Sequence, residues 1–303
     1  MSEAGATTGV ETILVATDLS AAADEALRQG HERAQAGASL IVCHVMPRFS
    51  AVPGLSPESD APASVQFLEL RHRISEEIVR RTVAVTGRNA ADFEVLLEEG
   101  HAYAGIVARA EERRADLIVV GSHGATGLAR VLLGSVADKV IRYAHCPVLI
   151  ARPSKLTGRI LVATDLSEPS FPAIAAAARE ARRTDKALTI VHCIETVTSI
   201  HRVELGGMWP REEEHDDEHE QLRPKADAAL QDVLARQEVT GDRRVVAGSP
   251  VASILSVCDE LRPDLLVVGT RGRTGLRRVI LGSVAEAVAR LAPCSVLIVR
   301  LDG

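Results

Sequence analysis

Aromatic residues make up 2% of the 303-residue chain, with one Trp, two Tyr and four Phe. A protein that grips single-stranded nucleic acid by stacking its bases needs more rings than this. Positive charge is not in excess: 35 Lys and Arg face 41 Asp and Glu, for a net charge of −6. The chain as a whole therefore exerts no pull on nucleic acid or an anionic membrane. No apolar run reaches the roughly eighteen residues needed to cross a bilayer. The opening Met1-Ser-Glu-Ala-Gly-Ala6 is acidic and lacks the charged-then-apolar layout of a signal segment. A cytoplasmic protein with neither nucleic-acid nor membrane partners is expected. The five cysteines are odd in number and form no C-x-x-C, so no disulfide framework is written here. Cys146 and Cys294 stand at matching places before an apolar run, and Cys43 and Cys193 lie in or at the end of such runs. All four read as reduced core thiols.

Familiar catalytic signatures are missing too. No G-x-S-x-G nucleophile turn is present. Gly100-His-Ala-Tyr-Ala-Gly105 has the first spacing of a P-loop, but Ile106-Val107 stands where Lys and Ser or Thr belong. A dinucleotide fingerprint would need G-x-G-x-x-G, which the chain's glycine loops do not match.

What is present is a duplication. Gly121-Ser-His-Gly124-Ala-Thr-Gly127-Leu-Ala-Arg130-Val-Leu-Leu-Gly134-Ser135 recurs as Gly269-Thr-Arg-Gly272-Arg-Thr-Gly275-Leu-Arg-Arg278-Val-Ile-Leu-Gly282-Ser283. Both read G-x2-G-x9-G-S, and each follows an acid-led apolar run, Asp116–Val120 and Asp264–Val268. The offset, 269 − 121 = 148 residues, is about one domain length. With 46% hydrophobic and 25% charged residues the composition is that of an ordinary globular protein. Two domains, 1–152 and 153–303, are expected, joined at the polar linker Arg152-Pro-Ser-Lys-Leu-Thr-Gly158.

Each half alternates β-like apolar runs with amphipathic stretches, the pattern of a parallel sheet with crossover helices. The expected strands are Thr12–Thr17, Ser39–Val45, Asp92–Glu98, Leu117–Gly121 and Pro147–Ala151, then Arg159–Thr164, Leu188–Ile194, Arg243–Val246, Leu265–Gly269 and Ser295–Val299. Helices are expected over Ala21–Ala36, Val65–Thr86, Ala102–Arg113 and Gly134–Tyr143, then Pro169–Arg183, Gln221–Gln237, Pro250–Leu261 and Gly282–Leu291. The fold class is α/β: two tandem doubly wound domains, each with a five-stranded parallel sheet flanked by helices. Met46–Ser64, with four prolines, and Glu195–Glu220 are longer than a crossover needs and read as loop insertions.

The glycine loops suit phosphate. Gly121 and Gly269 end a strand at the carboxyl edge of the sheet, where open α/β sheets place ligands. Glycine there allows left-handed angles and lets an anion approach bare amides. Gly134-Ser135-Val136 and Gly282-Ser283-Val284 then open helices, whose free N–H groups and positive dipole end favour the same anion. A mere tight strand-to-helix turn is the alternative, but it does not readily explain why the nine-residue spacer and the serine are kept in both halves. A second anchor ends strand one: Thr17-Asp18-Leu-Ser20 and Thr164-Asp165-Leu-Ser167. Its acid reads either as a ligand of ribose or a divalent ion, or as a helix N-cap.

Together these residues resemble the universal stress protein family in its tandem form, over 11–151 and 159–300. The resemblance rests on Thr-Asp-Leu-Ser after strand one, His44-Val45 ending strand two, G-x2-G-x9-G-S, and a last strand of Pro-Val-Leu-Ile type. It implies five-stranded domains that pair through their last strands, and adenine nucleotide binding. By that resemblance Thr17, Asp18, Thr164 and Asp165 would meet ribose or Mg²⁺, and Val45 the adenine. Gly121, Gly124, Gly134 and Ser135 would hold phosphates, with His123 and Val136 nearby. In the second half Gly269, Gly272, Gly282 and Ser283 would do so, with Arg271 and Val284 alongside. One departure stands out: Cys193 replaces the valine at the second adenine position.

A regulator that binds ATP at two sites, and through them changes its conformation or its hold on a protein partner, is the leading expectation, with homodimers of the chain. A slow ATPase or self-phosphorylating protein is the alternative, with Ser135, Ser283 or Thr126 as acceptor. The second insert carries His201, His215 and His219 among acids, which suits either zinc or a solvated acidic loop. The second glycine loop holds Arg271, Arg273, Arg277 and Arg278 against Arg130 and His123 in the first, so tighter, more salt-sensitive triphosphate binding is expected there.

Overall fold

The structure, a computed structural model, describes residues 11–34, 37–48, 63–123, 133–153, 157–195, 212–270 and 281–300, with the backbone alone over 63–64 and 212–219. The chain divides into two compact units, Met1–Arg152 and Pro153–Gly303.

In the first unit β1 (Thr12–Ala16), β2 (Ser39–Met46), β3 (Glu94–Glu99), β4 (Leu117–Gly121) and β5 (Val148–Ala151) alternate with α1 (Ala21–Arg33), α2 (Ala63–Thr86), α3 (Ala102–Glu112) and α4 (Ser135–Tyr143). The spatial order is β3-β2-β1-β4-β5. All its described pairings are parallel, with Ile13 opposite Leu117 and Leu40 on either side of β1. Chain order reverses between β1 and β4, so their carboxyl ends flank the crevice where doubly wound sheets bind ligands.

The second unit repeats this with β6 (Arg159–Thr164), β7 (Ala187–Ile194), β8 (Asp242–Ala247), β9 (Leu265–Gly269) and β10 (Ser295–Val299). Its helices are α5 (Phe171–Thr184), α6 (Glu212–Arg236), α7 (Pro250–Leu261) and α8 (Ser283–Leu291). The spatial order is β8-β7-β6-β9-β10, again parallel throughout, with the reversal between β6 and β9.

The central strands are buried on both faces because helices cover both, and their sequences are accordingly unbroken apolar runs. Ile13, Leu14, Val15, Ile118, Val119, Leu161, Val162, Leu266 and Val267 are fully buried. Helix α1 packs against β1 and β4 through small residues. A methyl group on Gly30 would stand 2.5 Å from a methyl of Val15, so the absence of a side chain sets how closely helix and sheet approach.

Some boundaries differ from the sequence expectation. Helix α1 ends at Arg33, and 35–36 lie outside the described residues. Asp92 closes a 3-10 turn (Ala90–Asp92) instead of opening β3. Pro169 sits in a second 3-10 turn, Glu168–Ser170, that precedes α5, because a proline ring without an N–H suits a tight first turn. The largest difference is α6, which begins at Glu212 and takes in the acidic stretch expected as a loop. Strongly acidic first turns are favoured by the helix dipole.

Candidate functional site

The Thr-Asp-Leu-Ser segments form the same turn in both units. Leu19 and Leu166 have φ of 63° and 64°, a left-handed conformation that L side chains rarely adopt. Side-chain bonds hold it there: Leu19 N–H donates to Thr17 Oγ1 at 3.1 Å and Ser20 N–H to Asp18 Oδ1 at 3.0 Å. In the second unit Leu166 N–H reaches Thr164 Oγ1 at 3.0 Å, and Ser167 N–H reaches Asp165 Oδ1 at 3.0 Å. Thr17 and Thr164 are buried, and their hydroxyls shape the turn from inside. The capping alternative for Asp18 resolves differently: Ser20 caps α1, its Oγ accepting from Ala23 N–H at 3.2 Å. Asp18 is solvent-exposed and Asp165 half-buried.

From β2, His44 Nδ1 lies 2.7 Å from Thr17 O; from β7, His192 Nδ1 lies 2.9 Å from Thr164 O. A carbonyl only accepts, so Nδ1 is the donor in each pair. Val45 faces α3, where a methyl on Gly105 would come within 3.0 Å of it. At the matching places in the second unit stand Cys193 and Ser253. Cys193 Sγ donates to Gly248 O at 3.3 Å, and burial raises its pKa. The valine-to-cysteine exchange thus comes with a glycine-to-serine exchange on the facing helix.

The glycine loops are closed at their base. Gly134 N–H donates to Ser122 O and Gly282 N–H to Thr270 O, both at 2.8 Å. Ser122 N–H and Thr270 N–H donate in turn to Ala151 O (3.3 Å) and Val299 O (2.9 Å). His123 Nδ1 lies 2.9 Å from Ser122 Oγ. Gly134 and Gly282 are the N-caps of α4 and α8, with φ of −62° and −61°. Gly121 and Gly269 are likewise absent from the glycines of positive φ. None of the four needs a left-handed backbone, which corrects that part of the sequence expectation. At Gly121 the reason is close approach: a Cβ would stand 2.8 Å from Ala22 O and 2.9 Å from its carbonyl carbon. Glycine here lets β4 end against the first turn of α1, beside the Thr-Asp-Leu-Ser turn.

Since the N-cap amides are already bonded, the donors left by each helix are those of its first turn, Ser135, Val136 and Ala137 or Ser283, Val284 and Ala285. Ser135, Val136 and Ser283 are exposed and Val284 half-buried. Gly124, Thr126, Gly127, Arg130, Arg271, Gly272, Arg273, Arg277 and Arg278 lie outside the described residues.

A model of the universal stress protein family matches residues 9–152 and 157–300. The chain belongs to the universal stress protein family. The match falls twice, so the tandem form is established along with membership. A universal stress protein of Mycolicibacterium smegmatis is 29% identical over 301 residues, spanning 95% of this chain and 96% of that one. A universal stress protein of Mycobacterium tuberculosis is 32% identical over 197 residues, which span 61% of this chain and 62% of its relative. A solved universal stress protein from Archaeoglobus fulgidus superposes with a TM-score of 0.69 at 22% identity, covering 97% of this chain and 99% of that one. That likeness establishes the shared fold.

Within this family fold, two features of the site escaped the sequence motifs. Arg81 on α2 grips Asp24 in the first turn of α1 with two bonds, the longer 2.7 Å. Bonding to Asp24 raises the Arg81 pKa against the opposing effect of burial, with smaller contributions from the charges of Asp24, Glu77 and Asp18. A guanidinium therefore stands in the field of Asp18, and no pattern near Thr17–Ser20 announces it. The other feature is the carbonyl tether made by the two histidines: His44 belonged to the strand-two motif, but nothing in that motif pointed to its bond with Thr17 O.

The acids leading β4 and β9 belong to the opposite edge. Asp116 Oδ2 accepts from Glu11 N–H (2.9 Å) and Thr12 N–H (2.8 Å). Asp264 accepts from Thr157 and Gly158 N–H (2.6 and 3.0 Å) and pairs with Lys186 Nζ at 2.6 Å. These carboxylates tie strand entries together. All five cysteines are free. Among the described residues no group of three or more metal-ligating side chains occurs, and no helix is long and apolar enough to cross a membrane. The backbone of His215 and His219 lies in α6, one turn apart, while their side chains and all of His201 lie outside the description.

Proposed function

We propose that the chain is a cytoplasmic stress-response regulator binding one adenine nucleotide in each unit, with Mg²⁺, and passing the bound state to a protein partner or to a second copy of itself. The observation that supports this best is the strand order. It makes β1 and β4, and likewise β6 and β9, neighbours across the reversal point, so that the Thr-Asp-Leu-Ser turn and the glycine loop share one edge.

The residues fit such a ligand. First-turn amides of α4 and α8, with the Ser135 and Ser283 hydroxyls, suit phosphate oxygens. Each dipole contribution is about 0.3–1 kcal/mol. Micromolar affinity corresponds to about −8 kcal/mol, so several amides and the buried base must act together. Asp18 and Asp165 would accept ribose hydroxyls or hold Mg²⁺, whose charge offsets that of the phosphates. Val45 and Cys193 would border the base.

The test is acid extraction of the freshly purified chain, with released nucleotide identified and counted. Two ATP per chain supports the reading in full, and one supports it for a single unit. No nucleotide, followed by silence in a calorimetric titration with ATP and Mg²⁺, removes it.

A further inference from the structure

The two units treat their outer strand differently. β3 and β8 each stand at an end of the strand order, so one side of each has no neighbouring strand. Gly100 N–H donates to Met46 O and Gly248 N–H to Ile194 O, which fixes the inward-facing residues. Along a strand, alternate residues turn their N–H and C=O to the same side. Val95, Leu97 and Glu99 of β3 therefore face outward, as do Arg243, Val245 and Ala247 of β8.

In the first unit that side is closed. Arg71 of α2 donates to Leu97 O at 3.3 Å and to Glu99 at 2.9 Å, and in β3 only Glu99 is exposed. In β8, Asp242, Arg243 and Ala247 are exposed. Ser253 Oγ reaches Ala247 O at 3.4 Å, but among the described residues no side chain bonds the outward N–H and C=O of Arg243 or Val245. An open groove of about 510 Å³ lies there, lined by Arg223 and Asp227 of α6 and by residues 243–246. Arg243 reaches Asp227 on α6 while Arg244 reaches Glu260 on α7, so neighbouring side chains of β8 leave opposite faces. A groove touched by consecutive residues of such a strand runs along its edge.

We infer that the outer edge of β8 takes up an extended acidic segment of a partner protein as an added strand. Its outward amides and carbonyls supply the ladder bonds that such a strand needs. The groove carries the guanidinium groups of Arg223, Arg243 and Arg244 against the single carboxylate of Asp227, which selects Asp and Glu side chains. The Arg243–Asp227 and Arg244–Glu260 pairs lie at the surface, so exchanging their partners costs little. Positive charge along the edge also opposes pairing of β8 with β8 of a second copy. The inference stands apart from the nucleotide reading, and its test contains no nucleotide.

A display library of random short peptides is panned on the full-length chain, and amide exchange is followed by NMR with the selected peptides. These are expected to carry Asp or Glu at alternate positions, and to slow exchange at Val245 while leaving Leu97 unchanged. Val245→Pro removes one outward N–H, a change that edge strands tolerate, and is expected to weaken binding about tenfold or more without unfolding the chain. Arg223→Glu, at an exposed position of α6, is expected to weaken it similarly. Selection of no acidic peptide, protection elsewhere than β8, or unchanged affinity in either folded variant overturns the inference. So does slowed exchange at Val245 in the chain alone that grows with concentration, because the edge then pairs with a second copy.

Discussion

His44 Nδ1 meets Thr17 O at 2.7 Å, and the same bond recurs between His192 and Thr164 at 2.9 Å in the other unit. It ties the end of strand two to the residue that opens the Thr-Asp-Leu-Ser turn. Breaking it leaves a carbonyl without its partner, which costs about 1–3 kcal/mol where the group is buried. His192 is 6% exposed and His44 half-buried. His192→Leu is therefore expected to lower the urea midpoint more than His44→Leu. Equal losses would show that burial does not govern the bond.

At Gly121 a single added methyl group would meet backbone rather than a side chain that can turn away. The added Cβ of Gly121→Ala would press on the Ala22 backbone, which cannot rotate aside. Overpacking of this kind costs about 1–3 kcal/mol. Because Ala22 lies in the first turn of α1, the displacement reaches Ser20 and Asp18 as well. Lower thermal stability together with weaker ATP binding at one of the two proposed sites is expected, read by calorimetry. Unchanged stability would mean α1 is not held by this contact.

The left-handed leucines give a test of what the threonines do. Thr17→Val and Thr164→Val preserve shape but remove the acceptor of the Leu19 and Leu166 N–H bonds. Each is expected to lose about 1–3 kcal/mol in urea unfolding. Replacing Leu19 by Gly in the Thr17→Val background should recover part of that loss, since glycine adopts positive φ without strain. No recovery would mean that strain at Leu19 is not what the hydroxyl opposes.

His31 supplies a pH dependence. Burial, and next the Arg88 charge, lower its pKa below 6.5, and Arg88 Nε donates to its Nδ1 at 2.8 Å. The unfolded state then binds more protons than the folded state below pH 6.5, so stability falls as pH drops from 6.5 toward the lowered folded value. His31→Asn is expected to flatten that part of the stability profile relative to wild type. Parallel profiles would assign the acid sensitivity to other groups.

The sequence by itself determined the α/β class, the ten strands and the tandem repeat, because fully buried parallel strands must be written as unbroken apolar runs such as Leu117–Val120 and Leu265–Val268. It also marked Thr17–Ser20 and its repeat, as a recurrence of polar residues after a strand that suits either a ligand or a helix cap. One element was less legible: α6 runs back to Glu212 through residues that leave no apolar periodicity. The sequence already set Asp116 before its strand and Asp18 after one; only the tertiary structure showed what each does, Asp116 fastening the Glu11 and Thr12 amides while Asp18 is solvent-exposed. Only the fold, too, brought Arg81 to Asp24, set His44 on Thr17, and pressed Gly121 against Ala22. Those contacts join residues dozens of positions apart, and parallel strand register, which no local pattern encodes, is what brings them together.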